Sequence, residues 1–128
     1  LLLAACALAF MPLAHATEPS VYFIEPVDDA IVTSPVTVKF GLKNFGVAPA
    51  GIERDKTGHH HLIIDAPLPD LKLPVPADAN HIHFGGGQTE TTLELKPGKH
   101  TLQLLMGNPL HIPHATPVKS EVITITVK

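Results

Sequence analysis

The sequence predicts an all-β protein: a single immunoglobulin-like, antiparallel β-sandwich of about seven strands with Greek-key connections. The chain has 128 residues, which is enough for one domain. Its 13 prolines and 9 glycines are too many for a helical bundle and ordinary for short strands joined by turns. Several short segments alternate apolar and polar residues, and none shows a sustained helical period.

The strand prediction follows this alternation, with Gly, Pro or Asp between the segments. The turn Lys96-Pro97-Gly98-Lys99 leads into His100 and has the form of a corner in immunoglobulin-like domains, where an aromatic side chain bonds back to the backbone. We therefore predict that His100 is a structural corner residue. The Pro-rich segment 66–80 is expected to be an extended loop that crosses between the sheets. The predicted strands are 21–25, 36–45, 59–65, 81–84, 89–95, 100–106 and 121–127.

Residues 1–16 are expected to lie outside the fold. This apolar segment ends in Ala14-His15-Ala16, which is typical of a signal-peptide cleavage site. We interpret it as the remnant of a secretory signal peptide and residues 17–128 as a histidine-rich β-sandwich domain. A lipid anchor at Cys6 is the alternative, but the apolar run continues past that cysteine. The sequence thus predicts a periplasmic protein with no transmembrane segment in its mature chain.

The composition excludes several classes of function. The formal net charge is −3 and Trp is absent, which argues against a nucleic-acid binder. Cys6 is the one cysteine of the chain, so the mature domain has neither a disulfide nor a thiolate metal site. No nucleophile elbow is present, which argues against a serine hydrolase.

Histidine is the anomaly of this composition, with 9 copies in 128 residues. Strand alternation places His59 and His61 on one face of their strand, with His60 turned inward as a hydrogen-bonded core residue. The same alternation places His81 and His83 on a common face. A Pro-bounded loop between the last two strands carries two more histidines. The candidate metal ligands are His59, His61, His81, His83, His111 and His114.

Clustered imidazoles without a thiolate suit zinc or copper(II). Our leading hypothesis is a periplasmic protein that binds copper or zinc for metal buffering, delivery or sensing. Its partners would be the metal ion and another periplasmic metal-handling protein. Met106 could add a soft ligand, but it alternates with Leu102 and Leu104 and is therefore expected in the core. Gly85–Gly87 is interpreted as a strand bend or bulge.

Two other functions stay open. One is a metal-dependent enzyme at the same patch, in which Glu90 serves as a general base beside a metal-bound water. The sequence favours binding over catalysis, and we assign no catalytic residue. The other is a metal-free module that contacts an envelope partner, with the histidines as hydrogen-bond donors and a pH switch. If the histidines lie close together in space, a metal-binding function is favoured over the metal-free module.

Three strings of residues together resemble a known family. They are GHHHLIID at Gly58–Asp65, NHIHFGGGQTET at Asn80–Thr91, and HTLQLLMG at His100–Gly107 with HIPH at His111–His114. From about Val21 to Lys128 the chain is similar to the bacterial exported family called domain of unknown function 4399. The resemblance implies a small exported β domain whose signature is these histidine clusters, and it specifies no activity.

Overall fold

A computed structural model describes residues 1–12 and 17–128. Within these ranges the chain forms strands and loops and no helix, which confirms the all-β prediction. The seven predicted strands are present, with ends shifted by a few residues, and two further strands of two residues each are too short to give a periodic pattern. In chain order the strands are β1 Ser20–Glu25, β2 Ile31–Val32, β3 Val36–Lys43, β4 Gly46–Val47, β5 Thr57–Ile64, β6 His81–His83, β7 Glu90–Leu93, β8 Gly98–Gly107 and β9 Ile123–Val127.

The strands form two sheets. One has the order β1-β3-β7, and the other has the order β2-β9-β8-β5-β4, with β6 also paired to β5. Most neighbours are antiparallel, but β2 pairs with β9 and β4 pairs with β5 in parallel. These two parallel pairs are short and lie at sheet edges, and the mainly antiparallel arrangement is consistent with the predicted sandwich. The finer prediction of an immunoglobulin-like connectivity stays a prediction.

The main core lies between the apolar faces of the two sheets. Alternate residues of β3, β5, β8 and β9 point into it, as the period-two pattern predicts. Met106 is fully buried there, which confirms its placement in the core. Other fully buried members are Val38, Leu62, Leu102, Leu104 and Ile125.

A second, smaller core covers the opposite face of β5. Ile63, Leu105 of β8 and Val75 of the 66–80 segment are buried together in it. The 66–80 segment connects β5 to β6, which pair in one sheet, so the predicted crossover between sheets was wrong. The segment folds back over its own sheet because Val75 and neighbouring apolar side chains bury against Ile63 and Leu105.

Residues 1–12 form no regular secondary structure, and their side chains are exposed. The predicted cleavage motif Ala14-His15-Ala16 lies outside the described residues. Removal of 1–16 as a signal peptide, and a domain beginning at residue 17, stay predictions. In the described part of the chain we find no helix with the length and apolar character needed to cross a membrane.

His100 forms the contacts expected of the predicted corner. Its Nδ1 donates to Asp65 Oδ2 at 2.6 Å, and its Nε2 donates to the Lys96 carbonyl oxygen at 2.7 Å. Both ring nitrogens can donate at once when the imidazole is protonated. The hydrogen bond to Asp65, followed by the one to Lys96, accordingly raises the pKa of His100 above its ordinary value.

His60 lies in the main core, as predicted. It is 1% exposed, and its ring packs against Phe40 with 4.9 Å between the ring centroids. The prediction that this ring is hydrogen-bonded was wrong, because neither nitrogen has a partner among the residues described. Burial, and then the neighbouring His59, lowers the pKa of His60 to about 4, so the ring is neutral near neutral pH.

Replacing His100 by Gln is expected to destabilise the protein more in mild acid than in mild base. The unfolded side chain has a pKa of about 6.5. Because the folded pKa is higher, the stabilisation is complete below about pH 6.5 and is lost as the pH rises through the folded value. Asp65 is 40% exposed, so we expect a modest cost of about 1 kcal/mol near pH 5.5.

Urea unfolding of both proteins at about pH 5.5 and about pH 8.5 measures this difference. Lys99→Gln is the matched control, since it removes a positive charge from an exposed neighbour on the same strand. We expect its effect to be small at both pH values. An equal cost of His100→Gln at the two pH values would contradict the raised pKa.

Replacing His60 by Leu is expected to raise the free energy of unfolding by about 1 kcal/mol, because a buried polar ring without a partner is exchanged for an apolar one of similar size. Urea unfolding near neutral pH measures the change. A lower stability of the Leu variant would show that the His60 ring makes an interaction that the fold needs.

Candidate metal centre

Three chain segments bring four histidines to one place on the outer face of the six-stranded sheet. His59 and His61 project from that face of β5, as the alternation predicts. β6 runs antiparallel to β5 with His83 directly opposite His61. The loop after β8 supplies His111, which hydrogen-bonds to Asn108 through its backbone N–H at 2.8 Å.

The ring nitrogens of this group converge. His59, His61, His83 and His111 each offer one nitrogen, and these four atoms lie within 4.8 Å of one another. His59 Nε2 and His111 Nδ1 share a hydrogen bond of 3.1 Å. Zinc–imidazole bonds of about 2.0–2.1 Å place tetrahedral nitrogens about 3.3 Å apart. The group is therefore slightly wider than a filled site, and small side-chain rotations would close it around an ion.

Burial makes the inner half of the site electrically neutral. His59 and His61 are each 1% exposed. Burial, and then His83, lowers the pKa of His59 to about 4. Burial, and then His59, lowers the pKa of His61 to about 3. The Leu105 backbone partly opposes this lowering, but neither ring nitrogen of His61 has a partner in hydrogen-bonding geometry among the described residues.

The outer half of the site is open to solvent. His83 is exposed and His111 is half-buried. Partial burial, and then His111, lowers the pKa of His83. The rings of His83 and His111 pack edge to face, with centroids 4.5 Å apart. Neutral imidazoles carry the free lone pair that a metal ion requires, so this group could hold a metal ion.

Two glycines provide the space that the rings occupy. A Cβ at Gly107 would lie 2.5 Å from His61 Cε1, and a Cβ at Gly85 would lie 2.3 Å from His83 Cε1. Real Cβ atoms do not approach ring carbons so closely, so a larger residue at either position would displace the ring beside it. Gly87 has a φ of +83°, in agreement with the predicted bend after β6.

His81 and His114 lie outside the converging group. His81 Nδ1 is 2.7 Å from Asp78 Oδ1, and this hydrogen bond chiefly lowers the pKa of Asp78. His114 Nε2 donates to the Thr57 carbonyl oxygen at 3.0 Å. Each of these histidines keeps one buried ring nitrogen without a partner in the described part of the chain. Metal ligation by His81 and His114 therefore stays a prediction.

Glu90 lies on the other sheet. It is exposed on β7 and opposite Lys39 of β3, because the chain passes to the three-stranded sheet after the glycine turn. This position does not support a role as general base beside the histidines.

Loop residues that no sequence motif singled out also adjoin the site. Pro74, Val75 and Ala77 line a cavity of about 140 Å³ together with His61, His83 and His111. Apolar residues spaced among the prolines of 66–80 were the available signal that this loop covers a surface rather than crossing between sheets.

Comparison with known proteins agrees with the resemblance seen in the sequence. The model of the family described as Domain of unknown function (DUF4399) matches residues 38–128, well over half of the chain and including all the candidate ligands. No curated protein and no solved structure matches the chain. The chain therefore belongs to the DUF4399 family.

Proposed function

We propose that this protein binds one transition-metal ion, copper(II) or zinc, through His59, His61, His83 and His111. The observation that carries this proposal is the convergence of four imidazoles within 4.8 Å. They come from three separate chain segments, so neighbouring positions in the sequence do not explain the cluster. Burying the His61 ring, whose nitrogens have no partner among the described residues, costs free energy that an added partner such as a metal ion would recover.

The donor set favours these ions. Imidazole suits zinc, copper(II) and nickel, whereas magnesium and calcium prefer carboxylate and carbonyl oxygens. The four-residue group contains neither a thiolate nor a carboxylate. Copper(II) binds most strongly in the divalent series, and zinc accepts a tetrahedral set of nitrogens.

We propose metal buffering, delivery or sensing in the periplasm as the role. The apolar N-terminal segment supports export. The exposed His83 supports exchange of the ion with another metal-handling protein, because a partner's ligand can approach from that side. Four protein ligands favour binding over catalysis, since catalytic zinc sites commonly use three.

The protein without an added histidine tag is expected to bind copper(II) or zinc tightly with one-to-one stoichiometry near neutral pH. We expect the double variant His59→Ala/His83→Ala to lose about 100-fold or more in affinity, about 2.7 kcal/mol. Calorimetric titration of the stripped protein measures both quantities.

The matched control is His81→Ala/His114→Ala, which removes two imidazoles outside the converging group. We expect its affinity to stay within a few-fold of that of the unaltered protein. An equal loss in both double variants would extend the ligand set to all six predicted histidines. Weak binding at several sites, unchanged in both variants, would refute the metal site and favour the metal-free interaction module.

Gly107→Ala and Gly85→Ala are each expected to weaken metal binding by about tenfold. The added methyl group displaces the ring of His61 or His83 from the cluster. The same titration measures the effect. Gly41→Ala is the control, because its Cβ would lie 2.3 Å from the Tyr22 ring on the other sheet.

A double-mutant cycle tests the cause of the glycine effect. In a His83→Ala background, Gly85→Ala should cause no further loss of affinity, because the ring it displaces is gone. An undiminished loss in that background, or an equal loss in Gly41→Ala, would show that the glycines act through the fold and not through the rings.

A further inference from the structure

A small cavity lies beside three of the four histidines, and the rest of its lining is apolar. Four imidazoles could bind an ion without such a cavity. We propose that a bound ion keeps an open coordination position facing this cavity, and that the cavity admits a small molecule of a few atoms, uncharged or singly charged, as an additional ligand. This inference rests on the proposed function.

The cavity lies on the side of the cluster formed by three of its four rings. His61, His83 and His111 border the cavity, whereas His59 does not. His59 lies one alternate position before His61 on β5 and pairs across the sheet with Gly107. An ion held by all four nitrogens would therefore have His59 and the sheet on one side, and it would face the cavity on the side of the other three rings. A fifth ligand could approach through this cavity.

The wall opposite the rings is apolar and fixed to the site. Pro74, Val75 and Ala77 form it. Val75 is 7% exposed and packs in the second core, and its N–H donates to the His111 carbonyl oxygen at 2.8 Å. The wall is thereby joined to the loop that supplies one of the four rings. Its side chains are apolar, so the wall would adjoin a bound ion without supplying a side-chain ligand atom.

The size and lining of the cavity define the class of ligand. Its volume of about 140 Å³ is well below the roughly 300–1,000 Å³ of pockets that take drug-sized molecules. None of the residues lining it is Lys, Arg, Asp or Glu. A multiply charged anion would find no compensating side chain there, so the ion itself must supply any attraction. A linear triatomic anion such as azide meets these requirements.

Azide titration of the copper(II)-loaded full chain tests the inference. We expect a ligand-to-copper charge-transfer band and an altered electron paramagnetic resonance spectrum that saturate with azide. Inorganic phosphate at the same concentrations should change neither. Copper binding with no spectral response to azide would overturn this inference and leave the proposed function standing, whereas failure to bind copper would overturn both.

Two alanines of the same loop provide the variant and its control. Ala77→Leu places a larger side chain in the cavity wall, and we expect it to weaken azide binding at least tenfold. Ala79→Leu makes the same change at a position that is exposed, as Ala77 is, but does not line the cavity, and we expect no effect. Copper affinity is measured first for each, so that azide titrations compare fully loaded proteins. Equal azide affinity in the two variants would show that azide reaches the ion by another route.

Discussion

Strand β5 is covered on both faces, and the geometry of the site follows from that constraint. Successive side chains of a strand point to opposite faces, so each residue of the His59–Ile64 stretch is committed to one of two buried environments. His60 enters the sandwich core with Leu62 and Ile64, whereas His59 and His61 are buried on the opposite face, from which Ile63 enters the smaller core. A shift of one residue in the pairing of β5 would turn every side chain of the strand to the opposite face, and His59 and His61 would no longer meet His83 and His111.

The partners of the ring nitrogens distinguish His100 from His61. His100 has a protein partner for both ring nitrogens, and these contacts stabilise its charged form. His61 has a partner for neither among the residues described, and burial stabilises its neutral form. His60 shares both properties, but only His61 converges with three other imidazoles. His111 adds a φ of +66°, an uncommon backbone conformation for a residue other than glycine. Unfavourable local features concentrated at one place are characteristic of functional sites.

The sequence was sufficient to predict the strands and the pairing of histidines by face, because both depend on a period of two residues. It was insufficient to determine which of His81 and His83 meets His61. That choice depends on the register between β5 and β6, two strands joined by the long 66–80 connection, whose sequence shows no strand period that would fix it. The place of His111 depends on a turn after β8 that carries no periodic pattern. The two parallel pairings involve strands of two residues, too short to produce any pattern.

The separation of the ligands along the chain means that a bound ion would also affect the stability of the fold. His61, His83 and His111 lie on segments more than twenty residues apart, and β6 is a strand of three residues at the edge of its sheet. An ion bound to all of them would act as a cross-link in a domain whose predicted mature chain has no cysteine. Because the unfolded chain would not hold these ligands together, the ion would stabilise the folded state by binding it preferentially, and it would oppose local opening of the edge strand. Unlike a disulfide, this cross-link would form and dissolve with the availability of the ion, so resistance to unfolding would report the metal content of the surroundings.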